Sequence, residues 1–190
     1  GMFAVVPLVV FEALIGASIG FLAGLPLHAA NFAGFLMGHQ MGLTLARTYD
    51  PGSEVETDLL SQLLFVLAAG AFLAIGGLDA LFMTVATSFE RVPVGGFRPD
   101  LTPLEMAVGL MGASLELALR VAAPVIGIVS LILVALGVLS KTLPQINAMT
   151  VGFMLKIVLG IGMMAAGIAS MEEAIVDDVS GTLRGVMRWW

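Results

Sequence analysis

Residues 121–139 read VAAPVIGIVSLILVALGVL, a stretch without a single charged side chain. An apolar run of about 18 residues or more is long enough to cross the hydrocarbon core of a bilayer as a helix. The stretch lies within a longer apolar block, Met106–Leu139, and three further blocks accompany it: Val5–Ala46, Leu59–Val85 and Ala148–Ala169. None of them alternates with the period of two that a strand requires, and their Ala, Leu, Met and Gly content favours packed helices. The sequence therefore predicts an all-α membrane protein.

The composition of the whole chain supports this class. Of the 190 residues, 59% are apolar and 12% are charged, and the mean hydropathy is +1.05. Soluble domains carry about 25% charged residues, so an ordinary soluble protein and a disordered chain are both excluded. The net charge of −6 comes without any basic run and excludes nucleic-acid binding. The absence of cysteine excludes disulfides and thiolate metal sites, and no cofactor is predicted.

Prolines and short connections predict kinked helical hairpins in a multi-helix bundle. Pro26 lies in the middle of the first block, so we expect a kink or a hairpin corner near Leu25-Pro26. The sequence Thr102-Pro103-Leu104-Glu105 matches a capping box and predicts a helix start at Pro103. The connection Ser140–Asn147 is short enough to make the last two blocks an antiparallel hairpin.

The C-terminal residues form an amphipathic segment. Its apolar side chains share one helical face, and acidic residues precede basic ones in the order that the helix dipole favours. We expect this tail at an interface or in a headgroup layer rather than across the membrane. The residues of the apolar face are Met171, Ile175, Val179, Leu183, Val186 and Trp190.

Two sets of glycines recur every four residues in the first block. Each set places a ridge of glycines along one helix face, which allows a neighbouring backbone to approach closely. We expect tight helix packing at these ridges, either within the chain or against partner subunits. The two sets are Gly16, Gly20 and Gly24, and Gly34, Gly38 and Gly42.

Five charged residues interrupt the apolar blocks, and four of them, all but Asp79, are functional candidates. Glu116 and Arg120 have the spacing of an ion pair on one helix face. Glu12 and Lys156 are single charges that can snorkel, pair across helices or line a water-filled path. Charges in apolar helices are functional candidates by default, but a structural pair facing the bundle interior is the favoured interpretation for Glu116 and Arg120.

Two further patterns have weaker interpretations. Residues 16–20 match G-x-S-x-G, but the serine-hydrolase elbow requires a strand, a turn and a helix, which an apolar helix does not supply. Asp50, Glu54, Glu56 and Asp58 cluster in one polar segment without the spacing of a calcium loop, so a solvated loop is favoured and no metal site is predicted.

Several motifs resemble a family of membrane proteins. The sequence GHQMGLTLA at 38–46 is followed by Asp50-Pro51, and the motif Pro144-Gln145-Ile146-Asn147 is followed by Gly152-Phe153. In this order they resemble the flagellar export protein FliR and its virulence-secretion counterpart SctT, over about Phe11–Ala169. Family members have further apolar sequence upstream, so the resemblance implies a truncated or divergent member.

The resemblance implies a non-enzymatic subunit of the type III export gate. Its partners would be FliP-like and FliQ-like membrane subunits, other export proteins and unfolded export substrates, in the bacterial inner membrane within the basal body of a flagellum or injectisome. It also implies a division of the chain: a FliP-like half at 1–89, a linker at 90–102, a FliQ-like hairpin at 103–170 and the tail at 171–190.

The family also implies a channel plug near 41–56, which would close the entrance channel. The corresponding residues here are Met41, Leu43, Leu45, Tyr49, Asp50 and Pro51. Pro144, Gln145 and Asn147 would form the hairpin turn. The residues themselves leave a second function open, an ion-coupled carrier or channel subunit that uses Glu12, Glu116, Arg120 or Lys156, and an intramembrane hydrolase ranks third.

Overall fold

Five helices form the structure, a computed structural model that describes residues 2–43, 59–91, 102–142 and 148–188. They are α1 (Met2–Met41), α2 (Leu59–Ala74), α3 (Gly77–Arg91), α4 (Thr102–Thr142) and α5 (Ala148–Arg188). The described residues contain no strand, which confirms the all-α class. α4 begins one residue before the predicted start, with Glu105 of the capping box in its first turn.

The core lies where α1, α4 and α5 meet. α4 and α5 pair along their lengths, α1 packs against both, and α2 packs mainly against α1. Small and branched side chains fill the contact, because Ala30, Ala33 and Ala118 let the helix backbones approach while Val125 and Val129 fill the space between them. All five of these side chains are completely buried.

α1 is one continuous helix, so the expected hairpin corner near Leu25-Pro26 is wrong. A proline inside a helix removes one backbone hydrogen bond and costs about 3 kcal/mol. Here Pro26 is buried and its neighbours Leu22, Ala29 and Ala30 pack into the core. Tertiary packing on both sides of the proline offsets that cost. Pro124 likewise lies inside α4.

The second apolar block is broken into α2 and α3, which meet at an angle of 65°. Gly76 stands at the break with a φ of 78°, a conformation that residues with a β-carbon rarely adopt. Its amide donates to the carbonyl of Leu73, and its carbonyl accepts from Ala80 at the start of α3. The next residue, Gly77, is also required to be glycine, because a β-carbon at this position would lie 2.6 Å from the carbonyl oxygen of Phe72.

The amphipathic segment predicted as a tail is the C-terminal part of α5. Met171, Ile175, Val179 and Leu183 are buried in the main core, and Val186 in a second cluster with Ile15 and Ile19 of α1. Its apolar face therefore packs on the protein's own helices, and the segment continues the helix without a break.

Three helices are long and apolar enough to cross a membrane: Val9–Met41, Ala107–Thr142 and Thr150–Met187. The bent pair α2 and α3 adds a fourth if it is counted as one broken span. Large apolar side chains face outward on all of them, including Phe21, Leu131 and Val158. The surface is therefore suited to lipid or to other apolar subunits.

Candidate functional site: a charged cleft between α4 and α5

A cleft opens between α4 and the C-terminal part of α5. One opening, of about 300 Å³, has polar lining from Glu116 and Arg120 of α4 and from Asp177, Asp178, Thr182 and Arg184 of α5. A second opening of about 720 Å³ shares Arg120 and Asp177 and adds Glu172, Glu173, Ser170 and Ser180. We call the two openings together the α4–α5 cleft.

The antiparallel pairing of the two helices builds this cleft. Near the connection, Gly152 of α5 lies against Leu136 of α4, so closely that a β-carbon on Gly152 would be 2.7 Å from Leu136 Cδ1. Farther from the connection, Ala113 and Glu116 line the same opening as Asp178 and Gly181. The residue numbers fall on one helix as they rise on the other, which confirms the predicted antiparallel hairpin.

Glu116 and Arg120 form the ion pair that their spacing predicts. Arg120 Nη2 donates to Glu116 Oε1 at 2.8 Å, and the two side chains are 63% and 70% exposed, for Arg120 and Glu116 respectively. The pair therefore faces outward, and the expectation that it faces the bundle interior is wrong. Leu115 and Leu119 beside it are also exposed, so the charges interrupt an apolar surface.

Asp178 lies deeper in the cleft. Its Oδ2 atom is buried and has no hydrogen-bond partner among the residues that the structure describes. Arg184 lies six residues farther along α5, but its Nη2 donates to Ser180 Oγ at 3.3 Å. The Ser180 hydroxyl in turn donates to the backbone carbonyl of Asp177 at 2.9 Å. A buried carboxylate oxygen without a partner is unusual, and it places an unsatisfied acceptor inside the cleft.

The cleft concentrates the charge of the chain. The sequence has 8 basic and 14 acidic residues, and seven of these line the two openings. Five of the seven are acidic and two are arginines, so the cleft carries a formal excess of negative charge. Of the seven, the sequence predicts only Glu116 and Arg120 as site residues. It places the acidic residues of α5 in the tail, because only the pairing of the helices brings position 178 beside position 116.

The other two charges predicted within the apolar blocks lie elsewhere. Glu12 on α1 and Lys156 on α5 are both half-buried, and neither lines the α4–α5 cleft. The structure therefore brings together two of the four predicted charges and leaves two apart. The predicted hairpin turn, with Pro144, Gln145 and Asn147, lies outside the described residues.

Only the beginning of the predicted plug lies within the described residues. Met41 is completely buried, and Leu43 is half-buried against the main core. Met41 therefore lies inside the helical bundle of this chain. Leu45, Tyr49, Asp50 and Pro51 lie outside the described residues.

The two glycine ridges have different surroundings. A β-carbon on Gly34 would lie 2.5 Å from the carbonyl oxygen of Leu60 in α2, and Gly38 is also buried. In contrast, Gly16 and Gly20 have no atoms of the described residues within 4 Å of a β-carbon, and Gly24 would meet only the ring of His28. Gly34 and Gly38 of the second ridge therefore pack within the chain, and Gly42 lies beyond the end of α1 with a φ of 85°, whereas packing of the first ridge against partner subunits stays a prediction.

The G-x-S-x-G match is part of α1. Ser18 Oγ donates to the carbonyl of Leu14 at 2.7 Å, an ordinary bond of a helical serine to the preceding turn. His28 lies against Phe65 and His39 against Phe35, with ring centroids 6.5 and 5.9 Å apart. The strand-to-helix elbow that a serine nucleophile needs is replaced here by continuous helix.

Comparison with known proteins identifies the family. The family model described as "Bacterial export proteins, family 1" matches residues 2–181. The chain belongs to this family. The flagellar biosynthetic protein FliR of Escherichia coli is 32% identical over 160 residues, which are 84% of this chain and 61% of that protein. The surface presentation of antigens protein SpaR of Salmonella typhimurium is 30% identical over 154 residues, 80% of this chain and 57% of SpaR.

These relatives include flagellar biosynthetic proteins and surface presentation of antigens proteins, and both kinds match over most of this chain. FliR of Bacillus subtilis is 29% identical over 77% of the chain and 58% of its own length. The chain therefore spans about three fifths of the length of these bacterial export proteins. Family membership confirms the resemblance that the motifs at 38–46 and 144–147 indicate.

Proposed function

We propose that this chain is a membrane subunit of a type III protein export apparatus, flagellar or virulence-associated. The family match over residues 2–181 carries the proposal, and the three candidate membrane spans support it. Under this proposal the chain works in the bacterial inner membrane, within the basal body of a flagellum or injectisome. It is a structural part of the entrance channel for unfolded substrates and does no chemistry of its own.

The outward surface supports an assembled state with FliP-like and FliQ-like subunits. Gly16 and Gly20 lie on an exposed part of α1 with open space around them, which is the arrangement that close helix contact between subunits uses. The charged pair Glu116–Arg120 is also exposed on an apolar helix, and such charges avoid contact with lipid chains. Neighbouring subunits satisfy both features at once.

Isolation from native membranes tests this assignment. Affinity-tagged chain, solubilised in a mild detergent, should copurify with two small helical membrane proteins that mass spectrometry identifies as FliP-like and FliQ-like. A matched control is the same tag on an unrelated membrane protein of similar size. Recovery of the chain alone or only as a homo-oligomer would overturn the proposal.

The segment after α1 is proposed as the channel plug. Residues 41–56 join the capped end of α1 to an acidic turn. Leu43 packs on the core, so the large apolar side chains of Leu45 and Tyr49 are the ones that can exclude water from a narrow lumen by dewetting, and the pair Asp50-Pro51 is typical of a chain reversal behind them. Met41 holds the start of this segment in the bundle, and the occluding role falls on the residues after it.

Deletion of 43–52 tests the plug role. Cells that express the assembled deletion complex should take up a small dye and grow poorly, because the closed channel no longer excludes water and ions. Blue-native gels check that assembly is unchanged. An assembled deletion complex that stays as tight as wild type contradicts the plug.

The turn between α4 and α5 is proposed to set the shape of the FliQ-like hairpin at 103–170. Pro144 stops one helix, and Gln145 and Asn147 can bond exposed backbone groups at the helix ends. We expect Pro144→Ala with Gln145→Ala to lower the yield of the complex more than membrane insertion of the chain. Wild-type yield of the complex in blue-native gels would show that the turn has no such role.

A further inference from the structure

The last residue of α1 lies in a notch on α5. Met41 is completely buried, and its side chain rests on Gly160, which is also buried. A β-carbon on Gly160 would lie 2.8 Å from both Sδ and Cε of Met41 and 3.0 Å from its Cγ. Real β-carbons essentially never approach other atoms this closely, so only glycine at position 160 leaves room for the methionine.

The chain leaves α1 directly after this contact through a tight helix cap. Gly42 has a φ of 85°, and its amide donates to the carbonyl of His39 while the amide of Leu43 donates to that of Gly38, both at 3.0 Å. This pair of bonds is the Schellman motif that ends many helices. The Leu43 side chain then packs against the main core. Three consecutive residues therefore fix the end of α1: Met41 and Leu43 through side chains packed in the core, and Gly42 through its backbone conformation.

Such an arrangement leaves the helix end little freedom. A methionine can usually bend away from a new neighbour because it has three rotatable bonds. Met41 is completely buried, so any new rotamer has to be found inside the core and not in solvent. Neighbouring Met37 and Met164 are buried as well. Added bulk at position 160 therefore presses on the buried Met41 side chain and through it on the end of α1.

We infer that Gly160 is a positioning residue: its notch holds Met41 and thereby fixes the height and direction at which the chain leaves α1 relative to α5. The segment that leaves there carries the proposed plug, so the inference rests on the proposed function. It assigns to α5 a part in setting the closed channel, although α5 belongs to the opposite half of the sequence. Gly160 acts through Met41 and needs no contact with a substrate.

The test compares two glycines of α5 in the assembled complex. Gly160→Ala adds a methyl group into the notch, whereas Gly162→Ala adds the same group where the described residues leave open space. The sequence has no cysteine, so Leu45→Cys accepts a single spin label as a reporter on the proposed plug. Two quantities are measured in each variant: the electron paramagnetic resonance spectrum of the label and dye uptake by cells.

We expect Gly160→Ala to change the label spectrum and to raise dye uptake several-fold, with Gly162→Ala equal to wild type in both. Should Gly160→Ala fail to assemble, Met41→Leu is the second variant, because this swap conserves volume but places a branch at Cγ, which also lies against position 160. It should change the spectrum in the same direction.

The outcomes separate the inference from the proposed function. If the 43–52 deletion leaks but Gly160→Ala matches Gly162→Ala in spectrum and uptake, the positioning role is wrong and the plug stands. If the deletion does not leak, the plug is wrong, and the label spectrum alone then decides the positioning role. An unchanged spectrum in both Gly160→Ala and Met41→Leu overturns it.

Discussion

At Gly34 the backbone of α1 lies directly against the backbone of α2. A β-carbon there would be 2.5 Å from the carbonyl oxygen of Leu60 and equally close to the α-carbon of Ser61. Asn31, one turn earlier, donates from Nδ2 to the Ser61 carbonyl at 3.3 Å. The absence of a side chain at Gly34 and the hydrogen bond from Asn31 to Ser61 together hold α2 against α1.

Gly34→Ala should destabilise the isolated protein. The new methyl group meets backbone, which cannot rotate away as a side chain can, and overpacking of this kind costs about 1–3 kcal/mol. The control is Gly16→Ala, where open space leaves only the gain in helix propensity of up to about 1 kcal/mol. Thermal unfolding in detergent, followed by circular dichroism, measures both. Equal melting temperatures for the two variants would contradict the close contact.

At the scale of elements, the bend between α2 and α3 is the feature that changes the direction of the chain most sharply within one apolar block. The angle is 65°, and it occurs at Gly76, where φ is positive. Phe72 then packs against Gly77 at the inside of the bend. Both glycines are needed, one for its backbone conformation and one for its missing side chain.

Gly76→Ala should therefore weaken or open the bend. A residue with a β-carbon in the left-handed region costs about 1–2 kcal/mol. Gly70→Ala is the matched control, since it lies in α2 with open space around it. Cysteines replacing the exposed Leu59 and Phe89 accept spin labels at the two ends, and their separation should lengthen in Gly76→Ala alone. A distance distribution identical to the control would show that Gly76 does not hold the bend.

The elements also show what the sequence can and cannot predict. The helical apolar blocks, a helix start within one residue of Pro103 and a shared apolar face from Met171 to Val186 follow from periodicity and local chemistry, and the structure has them; that this face packs on the chain's own helices and not in a headgroup layer does not follow from the sequence. Pro26 predicts a kink or a hairpin corner, but no corner forms and α1 continues. Packing against residues distant in sequence offsets the backbone hydrogen bond that the proline removes. The sequence does not predict the break at Gly76, because nothing in it shows which of the 23 glycines adopts a positive φ. The sequence predicts the α4 side of the cleft, the Glu116–Arg120 pair, but not the acidic residues on the α5 side, because their position depends on how α4 and α5 align.

At the scale of the whole molecule, the lengths of the helices and the positions of their charges are compared with the thickness and polarity of a membrane. α1, α4 and α5 have 40, 41 and 41 residues, which at about 1.5 Å per residue is about 60 Å each. A hydrocarbon core is about 30 Å thick, so each helix is about twice as long as one crossing needs. The α4–α5 cleft lies in this long hairpin, and water or protein must face its charges.

The last prediction distinguishes an export subunit from an ion-coupled carrier. In an export subunit, neighbouring chains cover the exposed Glu116–Arg120 pair, so neutralising both residues (Glu116→Gln with Arg120→Gln) should reduce the yield of the assembled complex and protein secretion. The isolated chain should change little, because an exposed ion pair contributes about 0–1 kcal/mol.

Lys141→Gln is the control, an exposed charge on α4 away from the cleft. Yield is measured in blue-native gels, stability by thermal unfolding, and ion flux in vesicles that contain the purified chain. Wild-type yield and secretion in the double variant would show that the cleft is not covered in the assembly. Ion flux through the purified chain that Glu116→Gln abolishes would instead establish the carrier, because a carrier needs this carboxylate for transport and needs no partner subunit.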